Sequence, residues 1–421
     1  MEQIDPELER FDRHRVREIR AKYDQTAAAF LAEFQSTAAS LKPDERIELV
    51  VYAYESSMEL LKAMLSNPHA NKICYLFWGY DGEEDVNSVV PLLINNCPEL
   101  ASLQVEFKHH FAFDFVSSVL EHPSNKVKVL HIPPKTKGDL PRFFAALGQS
   151  QVSALTLSTG DSPEFSQGLC EYLAKDLLVR LKVFYSKSVP SEMTASLANC
   201  TRLAKLEMLR CEFSQPTSFT LPKSITKLTL DYCWFVDGFD WSFLADSNVR
   251  ELDFESVREV EGTQLGSALA VHLRAKGLDK LRFHNCDFVN ETLAKVGVEI
   301  GRITRLILEC RRINDAFIKL IVLVLQSPNS EVKELRLWYG DNTASIVKDH
   351  LVPALKHPNC NLAKLSLRAD RDREAAGRVE AMFRNRLVLF VLLQGRQVGR
   401  LYCPLRRLPV EMFRLVAAAL I

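Results

Sequence analysis

Leu203-Ala-Lys-Leu206-Glu-Met208-Leu-Arg-Cys211-Glu-Phe213 is followed by Ile225-Thr-Lys-Leu228-Thr-Leu230-Asp-Tyr-Cys233-Trp-Phe235, and later by Leu278-Asp-Lys-Leu281-Arg-Phe283-His-Asn-Cys286-Asp-Phe288. Each stretch opens as aliphatic-x-x-Leu-x-apolar and reaches a Cys and then an aromatic residue at the same distance from its Leu. Strict apolar alternation is the period of a β-strand with one buried face. The return of one strand signal at a nearly fixed interval marks a repeat array, which decides the fold before any other feature is read.

The shorter core of the motif extends in both directions. Upstream it reads Ile73-Cys-Tyr-Leu76-Phe-Trp78, Leu100-Ala-Ser-Leu103-Gln-Val105, Val127-Lys-Val-Leu130-His-Ile132, Val152-Ser-Ala-Leu155-Thr-Leu157 and Leu178-Val-Arg-Leu181-Lys-Val183. Between and beyond the opening three it reads Val249-Arg-Glu-Leu252-Asp-Phe254, Ile303-Thr-Arg-Leu306-Ile-Leu308, Val332-Lys-Glu-Leu335-Arg-Leu337 and Leu362-Ala-Lys-Leu365-Ser-Leu367. The central residue is Leu in all twelve, at spacings of 27, 27, 25, 26, 25, 22, 24, 29, 25, 29 and 30. The flanking positions are all apolar in a chain that is 47% hydrophobic. Independent draws at that background would give this on the order of 10⁻⁸ of the time.

With this consensus and spacing the chain resembles the leucine-rich-repeat superfamily over residues 69–369. Its long, Cys-containing repeats are similar to the ribonuclease-inhibitor-like subclass. The resemblance implies an α/β solenoid, a right-handed horseshoe of about twelve repeats. Parallel strands would line the concave face and helices the convex face. It also implies that the Cys of the motif turns inward after the strand, where a small, weakly polar group meets backbone amides. Function is not implied, because this architecture serves unrelated partners.

The connecting segments carry helical periodicity, as in Phe113, Val116, Val119 and Leu120, and in Leu293, Val296 and Ile300. Ile346, Leu351 and Leu355 follow it less strictly, and Pro163, Pro190, Pro328 and Pro358 mark connections. The repeats opening at Leu203 and Ile225 are shorter and contain Pro216, Pro222 and Gly238, which predicts loop or a short turn on their convex side. Three regions follow: a helical N-terminal cap at 1–68, the solenoid at 69–369, and a C-terminal cap with a terminal amphipathic helix at 370–421. The cap reading rests on the stripe Ile19, Tyr23, Ala27, Phe30, Phe34 and Leu41, with a second helix from about Asp44 to Leu65. At the other end the charged run Asp370-Arg-Asp-Arg-Glu374 breaks the period before the apolar Leu387-Val-Leu-Phe-Val-Leu-Leu393. The terminal Leu408-Pro-Val-Glu411 resembles the opening of F-box-like helices. That resemblance implies an alternative role, a substrate receptor of a ubiquitin ligase with 408–420 docking the adaptor.

Composition narrows the classes. A chain of 421 residues exceeds the ~250–300 at which single cores stop growing, so it holds several domains or an array. Lys+Arg and Asp+Glu are 53 each, which argues against a general nucleic-acid binder and a polybasic membrane anchor. Ten cysteines lie scattered in apolar segments with no C-x-x-C, the first residues lack a signal-peptide pattern, and no run spans a membrane. A cytoplasmic protein with reduced thiols is expected.

No catalytic or cofactor motif is found: no G-x-G-x-x-G, no P-loop, no H-E-x-x-H, no nucleophile elbow. His109-His110 are neighbours on extended chain and point apart, Cys200 and Cys211 lack a second pair for zinc, and Glu83-Glu84 sit in a polar loop. No enzyme activity, metal or cofactor is expected. The expected function is a non-catalytic scaffold or recognition protein whose concave face binds another protein. Residues on either side of each central Leu would face that partner: Tyr75, Phe77, Arg180, Lys182, Lys205, Lys227, Glu251, Asp253, Lys280, Arg282, Arg305 and Arg336. The early repeats give an uncharged, partly aromatic lining. The later ones are mainly basic with an acidic interruption at Glu251, Asp253 and Glu255, which suits a partner with an acidic patch.

Overall fold

In a computed structural model the described residues are 16–20, 26–51, 57–80, 86–107, 112–132, 138–159, 162–185, 189–213, 219–236, 238–258, 261–310, 313–339, 347–369 and 381. They fall into two compact units. The first comprises residues up to Glu212 with Thr220–Ile225, and the second Phe213–Phe219 with Thr226 onward.

The first unit alternates strand and helix: β1 (Val16–Arg20), α1 (Ala27–Ser40), β2 (Arg46–Val51), α2 (Ser57–Leu65), β3 (Ile73–Tyr80), α3 (Val90–Asn96), β4 (Ser102–Phe107) and α4 (Ala112–Leu120). It continues with β5 (Val129–Ile132), α5 (Leu140–Leu147), β6 (Ala154–Thr159), α6 (Pro163–Leu173), β7 (Arg180–Tyr185), α7 (Ser191–Ala198) and β8 (Lys205–Leu209). All eight strands are parallel, each hydrogen-bonded to the next in chain order. The central leucines pair in register, Leu76 with Leu103, Leu103 with Leu130, Leu130 with Leu155, Leu155 with Leu181 and Leu181 with Leu206.

After the two-residue strand β9 (Glu212–Phe213), the second unit holds β10 (Lys227–Asp231), β11 (Trp234–Phe235), α8 (Ser242–Asp246), β12 (Glu251–Glu255), α9 (Gly262–Lys276), β13 (Leu278–His284) and α10 (Val289–Val296). Then come β14 (Ile303–Glu309), α11 (Asp315–Gln326), β15 (Glu334–Tyr339), the short helix Val352–Lys356 and β16 (Lys364–Ala369). Here too the long strands are parallel and in chain order. Leu228, Leu252, Leu281, Leu306, Leu335 and Leu365 stand side by side. Each unit is thus a leucine-rich-repeat solenoid, with strands on one face and helices packed behind them.

The central Leu column is the core. From Leu76 to Leu335 every member is at most 1% exposed, and only Leu365, on the last described strand, is half-buried. Burying each such side chain contributes about 1.5–3 kcal/mol. The helix residues that were periodic in sequence close the other side: Phe113, Val116, Val119, Leu120, Leu293, Val296 and Ile300 are all buried. Leu351 and Leu355 are buried as well, while Ile346 lies outside the described residues. The short repeats carry no helix among the described residues between β8 and β10, and only the five-residue α8 between β10 and β12, as their Pro and Gly content predicts.

The strand exits share one device. Arg210, Tyr232, Ser256 and Asn285 all adopt φ between 50° and 54°, which turns the chain inward immediately after the strand. The next residue, Cys in three of the four, is buried. Its thiol donates to the carbonyl two residues back, from Cys211 to Leu209 at 3.4 Å, Cys233 to Asp231 at 3.5 Å and Cys286 to His284 at 3.3 Å. A thiol–amide contact of the expected kind is seen at Cys310, whose Sγ accepts from the Cys286 N–H at 3.4 Å. Beyond the turn Phe213 stacks on Phe235 with ring centroids 4.5 Å apart, and before it, on strands β12 and β13, Phe254 stacks on Phe283 at 5.1 Å.

The N-terminal stretch corrects the sequence reading. A helical segment was expected through 68, but Val16–Arg20 and Arg46–Val51 are strands that continue the sheet, with Ile19 opposite Leu49 and Leu49 opposite Leu76. Two more strand–helix units therefore precede the twelve. The stripe from Ile19 to Leu41 mixes a strand residue with helix residues; Phe30 and Phe34 are buried on α1, and Ile19 is buried on β1. The C-terminal cap and the Leu408–Glu411 segment lie outside the described residues.

Candidate partner-binding faces

Because side chains alternate along a strand, the residues one before, one after and three after each central Leu share the face that the helices leave open. All twelve residues nominated from sequence lie there. Tyr75, Phe77, Arg180, Lys182 and Lys205 belong to the first unit and the other seven to the second, and every one except Asp253 is half-buried.

In the first unit the face changes character along the stack. At one end the Tyr75 hydroxyl donates to Gln104 Oε1 at 2.9 Å, which fixes the ring beside half-buried Phe77. The next three residues in the Tyr75 column are short: Ser102, Val129 and Ala154 are 3%, 8% and 4% exposed. At the other end Glu207 receives both Arg180, at 2.9 Å, and Lys182, at 3.6 Å. Lys182 Nζ also lies 5.5 Å from the centre of the Phe184 ring. The Lys205 backbone N–H donates to the Val179 carbonyl at 3.1 Å, while its ammonium has no ion pair with a described residue. His131, between these ends, is held neutral. Burial, followed by the fields of Lys182 and Arg180, pushes its pKa down to about 4.

The second unit's face is a charge ladder. Arg282 reaches three carboxylates on two neighbouring strands, Asp253 at 3.4 Å, Glu255 at 3.1 Å and Glu309 at 3.0 Å. Burial opposes its charge, yet these three carboxylates hold its guanidinium above the ordinary arginine range. Asp253 also takes Lys280 at 3.1 Å, and His284 Nδ1 lies 3.1 Å from a Glu255 oxygen. Two strands apart, Arg305 reaches Glu251 at 2.7 Å. Glu334 accepts from Arg336 at 2.7 Å and Lys364 at 3.1 Å, and these cations hold its carboxyl below the usual range despite its burial.

Position beside a central Leu places Lys280, Arg282, Arg305 and Arg336 on this face without specifying their pairing, and Glu309 and His284, both three residues after a central Leu, are not among the twelve. The signal was available, since that position has the same strand parity as the two flanking ones. The same column carries Phe184 and Trp338, and Arg368 lies over the Trp338 ring at 4.6 Å.

Other candidates fare as follows. Cys200 and Cys211 are buried, and His109-His110 and Glu83-Glu84 lie outside the described residues. Among the described residues no group of three or more His, Cys, Asp or Glu is arranged to hold a metal, and no helix is long and apolar enough to cross a membrane.

No family model and no curated protein sequence matches this chain. Solved structures similar to it include an internalin, InlF, from Listeria monocytogenes. It has 12% identity and a TM-score of 0.39, with 82% of this chain and 91% of that one covered. The leucine-rich repeat-containing protein LegL7 from Legionella pneumophila has 16% identity and a TM-score of 0.37, with 78% and 95% covered. The LRIM1/APL1C complex has 12% identity and a TM-score of 0.29, with 88% and 66% covered. These proteins differ too much from this chain to lend it a partner.

Proposed function

We propose that the protein is a non-catalytic recognition module that binds another protein on the open strand faces of its two units. One observation carries this reading: strand after strand, the side chains flanking the central Leu present polar, aromatic and charged groups on a sheet face that no helix covers among the described residues. A surface with its backbone fixed in ladders loses little entropy when a partner docks. The twelve nominated residues are the proposed contact set, with Glu255, Glu309 and His284 added. The helix-backed, Cys-bearing repeats also support the ribonuclease-inhibitor-like subclass.

A reducing, cytoplasmic setting fits the nine cysteines among the described residues, which form no disulfide with one another. Burial pushes the thiols of Cys74, Cys97 and Cys286 up to about 12, so they are poor nucleophiles at neutral pH.

Cross-linking mass spectrometry on the purified complex tests the proposal. Partner cross-links should fall on strand-face lysines such as Lys182, Lys205, Lys227 and Lys364. Cross-links confined to Lys62, Lys276 and Lys319 on the helices would overturn it.

A further inference from the structure

On the helix side of the first unit, α5 and α6 leave a groove of about 320 Å³ between them. Its apolar part comes from Pro141, Phe144 and Ala145 on α5 and from Gly168 and Tyr172 on α6. A Cβ on Gly168 would run into the Phe144 ring, so the glycine lets that ring lie close against the α6 backbone. Phe143 and Phe165 meet the same ring edge-on, with centroids 5.1 Å and 5.4 Å away. Tyr172 is anchored by its hydroxyl, which donates to the Val152 carbonyl at 2.9 Å. The apolar walls are therefore in place before any ligand arrives, and docking on them costs little ordering.

One rim of the groove is acidic. Glu164, Gln167 and Glu171 recur at helical spacing along α6, line the groove with Gly168 and are exposed. The two carboxylates stand seven residues apart, ~10.5 Å along the helix axis at ~1.5 Å per residue. The Ser162 hydroxyl donates to Glu164 and holds its carboxyl below the usual range. Gln167 Nε2 donates to Glu171 Oε1 at 2.9 Å. Neither carboxylate forms an ion pair with a described residue. Lys175 also lines the groove, but its Nζ lies where a Cβ on Gly148 would stand, at the carbonyl end of α5.

We propose that this groove takes an amphipathic helix of a partner protein, with two cations seven residues apart and a leucine-sized side chain between them. Laid along α6, such a helix sets its cations opposite Glu164 and Glu171 and its apolar side chain on Phe144, because positions i, i+4 and i+7 share one face of a helix. The groove is at the small end of the ~300–1,000 Å³ range of ligand sites, which suits one inserted side chain better than a cofactor. Docking here is independent of the strand faces and goes beyond the function proposed above.

The test uses the full chain and a fluorescein-labelled peptide, Ala-Ala-Arg-Ala-Gln-Ala-Leu-Ala-Gln-Arg-Ala-Ala-Gln-Ala-Gly, read by anisotropy at low salt. The wild type should bind it, and binding should weaken as salt rises. Replacing both Arg by Gln should weaken binding about tenfold or more. Exchanging the Leu with the Gln two places before it keeps composition and charge but moves the Leu to the opposite face, and should weaken binding as much. The double variant Glu164→Lys, Glu171→Lys should lose binding while keeping its circular dichroism and melting temperature. Ala145→Trp, made at an exposed position, should fill the groove and lose binding too. Glu331→Lys, exposed in the second unit, should bind as the wild type does. No binding by the wild type, equal binding by the double variant or by folded Ala145→Trp, or an equal loss in Glu331→Lys overturns the assignment. Equal binding of the exchanged peptide overturns the groove and leaves only charge attraction. Butylguanidinium that competes as well as the peptide overturns the helical partner in favour of a small organic cation. A dimer in sedimentation that Ala145→Trp dissolves overturns it in favour of a second copy of this chain.

Discussion

Leu228 and Lys227 are adjacent in sequence and opposite in consequence. Leu228 is fully buried beside its register partner Leu252, while Lys227 is half-buried on the open face and its ammonium forms no ion pair with a described residue. Leu228→Ala removes methyl groups from a site held by the strands around it, so a loss of ~2–5 kcal/mol is expected. Lys227→Ala should stay within about 0.5 kcal/mol. Urea unfolding of the two variants decides this, and equal losses would put the strand frame off by one residue. His131 gives a second test. Its folded pKa lies near 4 against an ordinary 6.5, so the unfolded chain takes up the proton first. The stability that His131 contributes is complete above pH 6.5 and is lost as pH falls from there towards 4. In His131→Gln the drop in unfolding midpoint between pH 7.5 and pH 4.5 should be smaller than in the wild type; an equal drop would show that His131 already titrates normally in the folded state.

At the scale of elements, α9 meets α10 through two glycines one turn apart. A Cβ on Gly266 would sit 2.6 Å from the Thr292 carbonyl oxygen, and one on Gly262 would sit 2.9 Å from that of Phe288. Backbone atoms of a packed helix cannot step aside as a side-chain tip can. Gly266→Ala should therefore destabilise by ~1–3 kcal/mol through overpacking, outweighing the ~1 kcal/mol that alanine gains in an isolated helix. Val271→Ala, at an exposed position of the same helix, should melt with the wild type. A Gly266→Ala variant with a raised melting temperature would refute the close crossing. This crossing was not legible in the sequence, because two glycines in a helix read only as poor helix formers. Twelve strands were legible, because a buried Leu at a fixed interval leaves a periodic trace. The two N-terminal strands hid for separate reasons: β1 centres on Ile19, and β2 brings its preceding aliphatic residue, Ile47, one place closer to Leu49. A register shift between Ile47 and Glu48 absorbs that difference against β3. A strict spacing rule passes over a strand that the sheet accommodates with one irregularity.

Across the whole molecule, the strand-face columns were readable from parity alone, while the charge pairing was not. Pairing depends on how far a long side chain leans across neighbouring strands, and a sequence pattern does not specify that. Arg282 and Arg305 both flank a central Leu, yet Arg282 joins three carboxylates and Arg305 one. Arg282→Met strands Asp253, which is 6% exposed, beside a single remaining cation, and should cost about 1–3 kcal/mol. Arg305→Met breaks a pair with 41% of the arginine side chain exposed, and should cost less than about 1 kcal/mol. Chemical denaturation ranks the two, and a larger loss at Arg305 would show that Arg282 is not the hub of the ladder.

The strict chain-order pairing within each unit has a mechanical consequence. Every long strand is hydrogen-bonded only to the strands before and after it, and the stack grows at right angles to the strands. Tension applied along such a stack loads one ladder at a time, as in peeling tape, and does not shear all ladders together. Each unit should therefore yield at low force and lengthen in steps. A repeat such as the one from Leu252 to Leu281 would release up to about 100 Å of chain at ~3.3–3.6 Å per residue. A stack that gives way link by link behaves as a soft spring, able to stretch under a bound load and shorten again without ever losing its whole fold.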